Sequence, residues 1–317
     1  MAVFTPLDSS QMQAVLALYD VGDYQGHEGI LEGVENTNFK VSTTQGQYIL
    51  TLFESRTNVA DLPFFFAYTD HLVQKGISCP GPLTNCASQR QTDVSGRKAA
   101  LFPFLSGKSL PVSALQDHHA YEVGQITARM HKAVADFKGQ RENPLSLAGW
   151  QKLADKTRDR AGEVVSGLAS VIDEELSWLA DRWPHNLPAG AVHLDIFPDN
   201  VFFQDDRLSA VIDFYFSATD YLAYDLAIVI NAWCFDESYA FKPTMYEGLM
   251  RGYQELRPLS GGERAALPVL LRGASIRFLM TRLHDWVFHD PASFVKPHDP
   301  LAYLARLKFH QSGNIPL

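Results

Sequence analysis

Between positions 193 and 213 stand four side chains whose types and spacing could move a phosphoryl group. The segment HLDIFPDN sets His193, Asp195 and Asn200 in the pattern H-x-D-x-x-x-x-N, and Asp213 follows Asn200 by thirteen residues. Apolar runs at 201–203 and 210–212 flank a polar turn at 204–207, which predicts a hairpin with an acidic loop at each end. Transfer of a phosphoryl group to an alcohol needs a group that orients the hydroxyl and takes its proton, and Mg2+ to neutralise the triphosphate. Mg2+ prefers hard oxygen ligands and takes one or two carboxylates from protein. On that chemistry Asp195 is the base, Asn200 and Asp213 are the Mg2+ ligands, and His193 braces the loop. Pro198 stiffens the turn between Asp195 and Asn200 by fixing its own φ. A surface loop rich in Asx turns would carry similar residues. The joint spacing favours chemistry, because Asp225, twelve residues past Asp213, opens an apolar helix.

The elements that must position these groups can be read in order. Asp8-Ser9-Ser10 after Pro6 marks a helix start, with Met12, Val15, Leu16 and Leu18 behind it. Positions 29–54 alternate strand runs and turns. Strands are expected near 30–34, at 39–42 and at 48–53, with a Gln45-Gly46 turn between the last two. The polar stretch GVENTN is expected to lie over phosphates through Asn36, Thr37 and Asn38, whose amides, hydroxyl and backbone N–H groups suit anions. A plain polar hairpin loop is the other reading of that stretch. A helix follows at 62–75, stopped by Gly76. LFPFLSGKSL at 101–110 reads as a connector, with Phe104 and Leu105 offering backbone groups to an adenine edge or serving only as a linker. Helices are expected at 112–137, where His131 reads as structural, across 150–180 with a break near Gly167, and at 226–233, 243–254 and 268–286. A polar, Pro-rich tail ends the chain.

Composition bounds the rest. The 317 residues suffice for one large or two ordinary domains, and 46% apolar content supports a full core. Twenty-seven basic against thirty-six acidic residues argue against a nucleic acid or an anionic membrane as partner. Cys79, Cys86 and Cys234 show no metal spacing and fit a reducing cytoplasm. The N-terminus lacks a basic region followed by an apolar run, so no signal peptide is expected, and the longest uncharged apolar run, 226–235, is too short to span a bilayer. Oligomeric state is not legible.

HLDIFPDN together with IDFYFSATDYLAYDLA resembles the aminoglycoside phosphotransferase and choline kinase superfamily, whose fold is similar to that of protein kinases. Within it the chain resembles the homoserine kinase branch, through GVENTNFKV, YILTLFESRTNVADLPFFFAYTDHL, VIDFYFSATDYLAYDLAIVINAWCF, RGYQELRPLS and RFLMTRLHDW. The resemblance implies an α+β, two-lobed protein-kinase-like fold. A small antiparallel-sheet nucleotide-binding lobe would cover 1–103 and a larger, mainly helical lobe 104–317, with the three chemical side chains at the mouth of a cleft. It implies ATP as donor, L-homoserine as acceptor, Asp195 as base and Asn200 and Asp213 on Mg2+. It makes Asp225 a buried anchor for the catalytic loop. Two departures stand out. The third-strand position that usually carries a lysine reads Leu50-Thr51-Leu52, which leaves Lys40 or Arg56 to meet the phosphates, and Asp213-Phe214 is followed by Tyr215 instead of glycine.

Homoserine is a zwitterion, so its carboxylate calls for arginine and its ammonium for carboxylate or carbonyl oxygens. Arg277 and Arg282 are the candidates for the first and Asp199 for the second. Asp285 shares a helix face with Arg282, whereas Arg277 lies well round the helix from it. Each arginine has an alternative as a structural ion pair. Choline, an amino sugar or an aminoglycoside would instead favour a pocket of carboxylates alone. The missing lysine is the one feature that would suit a nucleotide-binding protein without catalysis.

Overall fold

The computed structural model of the chain describes residues 5–31, 36–54, 57–290, 296–313 and 315. Two compact units emerge. One comprises Met1–Gly107 with Ser209–Tyr215, the other Lys108–Leu208 with Phe216–Leu317. Where the sequence suggested one cut after position 103, the smaller unit runs on to Gly107 and takes back the segment that carries Asp213.

The smaller unit begins with α1 (Ser9–Leu16), capped by Asp8, whose side chain accepts the Gln11 N–H. Its five-stranded sheet holds β1 (Tyr24–Ile30), β2 (Thr37–Thr43), β3 (Gly46–Leu52), β4 (Thr92–Val94) and β5 (Arg97–Pro103) in the antiparallel order β1-β2-β3-β5-β4, with α2 (Leu62–Gln74) inserted after β3. Strand β2 alternates buried and half-buried residues along its whole length, as one core face requires. Phe39, Val41, Leu50 and Leu101 pack with Met12, Val15 and Leu16 of α1, while Phe53, Phe65, Phe66 and Phe102 form a second cluster with α2. The first strand lies earlier than the expected 30–34. It is the half-exposed edge run YQGHEGI, too polar to show an apolar alternation, and positions 32–35 fall outside the described residues.

The larger unit contains α3 (Asp117–Ala133), α4 (Leu147–Thr157), α5 (Leu168–Arg182), β6 (Ala189–Val192), β7 (Val201–Gln204), the start of β8 (Arg207–Val211), β9 (Ala218–Tyr221), α6 (Leu222–Trp233), α7 (Pro243–Leu256), α8 (Gly261–Val287) and α9 (Leu301–Gln311). Its centre is α6, LAYDLAIVINAW, buried on all sides as its near-continuous apolar sequence demands. The strands β7 and β8 meet at Asp205 and Asp206, both with left-handed φ (51° and 62°), the backbone a tight two-residue hairpin turn needs. Strands β6 and β9, unmarked in the sequence, pair antiparallel from Ala189↔Tyr221 to Val192↔Ala218.

Three expectations are corrected here. The helix placed at 112–137 is cut to α3 by 3-10 turns at Val112–Ala114 and Val134–Asp136. The helix placed at 268–286 starts seven residues earlier. Ser260 Oγ accepts the Glu263 N–H and Glu263 accepts the Ser260 N–H, so a capping box fixes the start and Pro268 lies inside α8. The tail is not merely polar and Pro-rich, because α9 buries Tyr303, Leu304, Arg306, Leu307 and His310. Among the described residues no helix is long and apolar enough to cross a membrane.

Candidate active site

In the larger unit the loop after β6 is built around a strained residue. Leu194 has φ 65°, a left-handed conformation that costs a non-glycine residue about 1–3 kcal/mol. Its N–H donates to Asp225 Oδ1 at 2.6 Å. Asp225 itself is completely buried in the first turn of α6, and His131 Nε2 lies 2.9 Å from its Oδ2. Burial pushes the Asp225 carboxyl up. The hydrogen bonds from His131 and from the Leu194 N–H outweigh that and hold it below the usual carboxylate range. Asp225 thus joins the loop after β6 to α3 through His131.

From this point the loop closes on itself. The Asp195 N–H donates to Nδ1 of the buried His193 at 3.2 Å. Asn200 donates Nδ2 to the Asp195 carbonyl (2.9 Å) and to Asp195 Oδ2 (3.0 Å). The backbone acceptor fixes which way the amide points and leaves its oxygen, a hard ligand, for another partner. Trp233 Nε1 holds the Ile196 carbonyl at 2.8 Å. Asp195 is half-buried, Asn200 buried and Asp199 exposed.

Asp213 belongs to the smaller unit and also has a left-handed backbone, φ 65°. With Phe214 and Tyr215 it lines a small cavity against Phe65, Thr69 and Phe102. Tyr215, in the place of the expected glycine, sets its ring edge-on to Phe53 (5.5 Å) and Phe65 (5.8 Å), and Phe214 packs on Tyr68 (5.6 Å).

The residues expected over the nucleotide have internal duties in this unit. Thr37, fully buried, donates its hydroxyl to Glu54 Oε1 (2.8 Å), and Asn36 Oδ1 accepts the Glu54 N–H (3.1 Å) and the Thr57 hydroxyl (2.9 Å). Asn38 Oδ1 accepts the Thr51 hydroxyl at 2.7 Å, so the residue in the lysine position knits β2 to β3. Thr37 and Asn38 also lie in the β2–β3 ladder, opposite Leu52 and Thr51. Phe104 donates its N–H to the Gln47 carbonyl (3.2 Å). Lys40 lies 3.5 Å from Glu28 and 5.2 Å over the Phe104 ring, whereas Gly33 and Arg56 lie outside the described residues.

The two candidate arginines on α8 differ sharply. Arg277 is about as buried as a residue can be (1% exposed), against the rings of Phe278 (4.8 Å) and Phe216 (5.8 Å). Its Nε and Nη1 have no hydrogen-bond partner among the described residues. Asp220, close enough to feel its charge, already accepts from Asn143 Nδ2 and the Tyr221 N–H, each at 2.7 Å. Arg282 is half-buried, stacks over Tyr303 (4.7 Å) and donates to the Asp299 carbonyl (3.3 Å). The sequence reading missed His298. Burial and the charge of Arg282 push its imidazole down, while Asp199 and Asp285 pull the other way. Its only signal was a histidine in a tail read as irregular.

A second polar cluster has a different character. His118, His119 and Asp206 bring their donor atoms within 4.8 Å of one another. Nδ1 of His119 accepts the Gln116 N–H (3.0 Å), so Nε2 carries the ring hydrogen toward Asp206 (2.8 Å) instead of a lone pair toward a metal. Glu122 adds a bond from the Leu208 N–H (2.6 Å). The cluster clasps the β7–β8 turn to α3.

Residues 26–265 match the phosphotransferase enzyme family. The chain is 47% identical to homoserine kinase of Xanthobacter autotrophicus, over 98% of this chain and 97% of that one. It is 47% identical to homoserine kinase of Parvibaculum lavamentivorans, over 100% and 98%. Similar solved structures include an amicoumacin kinase in complex with AMP-PNP and Ca2+ (TM-score 0.72, 15% identity, 97% of this chain and 94% of that chain). Another is a choline kinase of Cryptosporidium parvum (TM-score 0.68, 14% identity, 96% and 95%). The α+β, protein-kinase-like fold is thus shared with small-molecule kinases. The chain belongs to this phosphotransferase family, on the branch that holds the homoserine kinases.

Proposed function

We propose that this chain is an ATP- and Mg2+-dependent kinase that phosphorylates the side-chain hydroxyl of L-homoserine, giving O-phospho-L-homoserine on the route to threonine. The observation that carries the reading is 46–47% identity to homoserine kinases over essentially the whole chain. In the reaction the acceptor oxygen bonds to the γ-phosphorus, the bond from that phosphorus to the β,γ-bridging oxygen breaks, ADP leaves, and the hydroxyl proton passes to Asp195. Asn200 orients the Asp195 carboxylate through Nδ2. Asn200 Oδ1 and the Asp213 carboxylate would hold Mg2+, which offsets triphosphate charge when bound. Asn36, Thr37 and Asn38 face phosphate through backbone and amide N–H groups, and Phe104 and Leu105 border the adenine.

Arg277 takes the acceptor carboxylate. A buried guanidinium with N–H groups left over is satisfied by an anion, a need that choline or an aminoglycoside would not meet. Asp199 takes the ammonium, with Arg282 and His298 beside it. The thiols, none in a disulfide, suit the cytoplasm.

The test is a coupled ADP-release assay over amino acids, amino alcohols and amino sugars. Homoserine should stand out, and Asp195→Asn should lose roughly a hundredfold or more in turnover. Arg277→Gln should raise the homoserine KM and leave the ATP KM alone. Preference for choline or an amino sugar would overturn the acceptor. ATP binding without turnover on any acceptor would make the chain a nucleotide-binding protein.

A further inference from the structure

The helix histidine that looked merely structural belongs to a directed chain of hydrogen bonds. Glu263, buried at the start of α8, pairs with Arg257 Nη2 at 2.7 Å. Arg257 Nη1 donates to the Tyr253 hydroxyl at 2.8 Å. Tyr253, on α7 and completely buried, lies 2.9 Å from His131 Nδ1 on α3. His131 Nε2 lies 2.9 Å from Asp225 Oδ2 on α6, and Asp225 Oδ1 takes the Leu194 N–H.

The polarity of this chain is fixed at one end. Guanidinium can only donate, so the Tyr253 oxygen accepts from Arg257 and its own hydrogen is left for His131 Nδ1. That puts the His131 ring hydrogen on Nε2, aimed at Asp225. Every link then has one donor and one acceptor, and the last link ends on the N–H of the residue before Asp195.

The spacing is fixed as well, by contact between the backbones of α3 and α7. A Cβ on Gly124 would fall 2.1 Å from the Leu249 carbonyl oxygen, one on Gly248 2.6 Å from that of Asp117, and one on Gly252 2.1 Å from that of Tyr121. Only glycine admits so close a crossing. His131 and Tyr253 therefore meet on two helices that cannot slide apart or together without breaking these contacts.

We propose that His131, backed by Tyr253, is a positioning residue for phosphoryl transfer: it sets the rotamer of the Asp225 carboxylate that holds Leu194 left-handed, and so sets where Asp195 points. This rests on Asp195 being the base. His131 touches neither substrate, so its loss should fall on kcat and spare both KM values.

The experiment is steady-state kinetics with ATP and homoserine on the full chain, with thermal melts of each variant. His131→Leu, which removes the donor to Asp225, should lower kcat at least tenfold with both KM values within twofold of wild type. His131→Gln, whose amide can still donate to Asp225, should recover most of that loss. Tyr253→Phe should lower kcat about threefold to tenfold. Wild-type kcat in His131→Leu would overturn the proposal, as would a His131→Gln no better than His131→Leu at equal melting temperature. If His131→Leu does not fold, His131→Gln and Tyr253→Phe decide. Wild-type kcat in both, or a loss that follows melting temperature alone, overturns the proposal. Asp195→Asn in the same series separates the two readings. If it stays active the base assignment falls and takes this proposal with it. If it is inactive while His131→Leu is normal, only the role of His131 falls.

Discussion

Gly252→Ala tests whether the contact between α3 and α7 governs both stability and turnover. The added Cβ would sit 2.1 Å from the Tyr121 carbonyl oxygen and 2.9 Å from its carbon. An ordinary carbon–oxygen contact is about 3.3 Å or longer, so the helices must part by roughly 1 Å at that point. Nothing flexible can yield, because the obstacle is backbone. Overpacking of this kind costs about 1–3 kcal/mol, which in a chain of this size lowers Tm by roughly 1.5–4.5 °C. Tyr253 is the next residue, and its 2.9 Å bond to His131 would stretch toward or past the usual hydrogen-bond limit. The variant should therefore melt lower and also turn over more slowly well below its Tm, with KM for ATP unchanged. Calorimetry and initial rates at 20 °C measure the two effects. A Tm within 1 °C of wild type would refute the close-crossing argument. A lowered Tm with full kcat would refute the link from that crossing to the catalytic loop.

Two further outcomes follow from buried charges. Because the folded pKa of Asp225 is depressed, its contribution to stability is present above the ordinary aspartate value near 3.9 and fades as pH falls through the lower folded value. Urea melts at neutral and acid pH should show the gap between wild type and Asp225→Asn narrowing below about pH 4, and a gap constant with pH would contradict this. Arg272 pairs with the buried Glu175 through Nε (2.6 Å) and Nη2 (2.5 Å). Arg272→Met should destabilise by up to about 3–5 kcal/mol because it leaves the buried carboxylate only the Gln311 amide (2.8 Å) as partner, and adding Glu175→Leu should recover much of that. Additive losses in the double variant would show that the stranded charge is not the cause.

The 193–200 loop was legible because its hydrogen bonds are local. His193, Asp195 and Asn200 lie within eight residues, and their hydrogen bonds to one another need no distant element. Asp225 and Arg277 could be picked out, but not their surroundings. The orphaned guanidinium of Arg277 and the His131 link to Asp225 are products of packing, and a single histidine on a helix carries no mark of its partner 94 residues away. Strand β1 was misplaced because an edge strand need not alternate, and the start of α8 because Pro268 overshadowed the Ser260–Glu263 box. Thr51 could be seen as a missing lysine, but its bond to Asn38 across the β2–β3 pair only a register reveals.

Tyr215 has a bearing on control. In protein kinases the Asp-Phe-Gly segment can swing, and the packing of its Phe distinguishes active from inactive states. Here the residue after Asp213-Phe214 is an aromatic wedge held by Phe53 and Phe65, while Phe214 is held by Tyr68. Swinging out would expose two rings and abandon three edge-on pairs, each worth roughly 0.5–1.5 kcal/mol beyond the buried area. Such a segment makes a poor toggle.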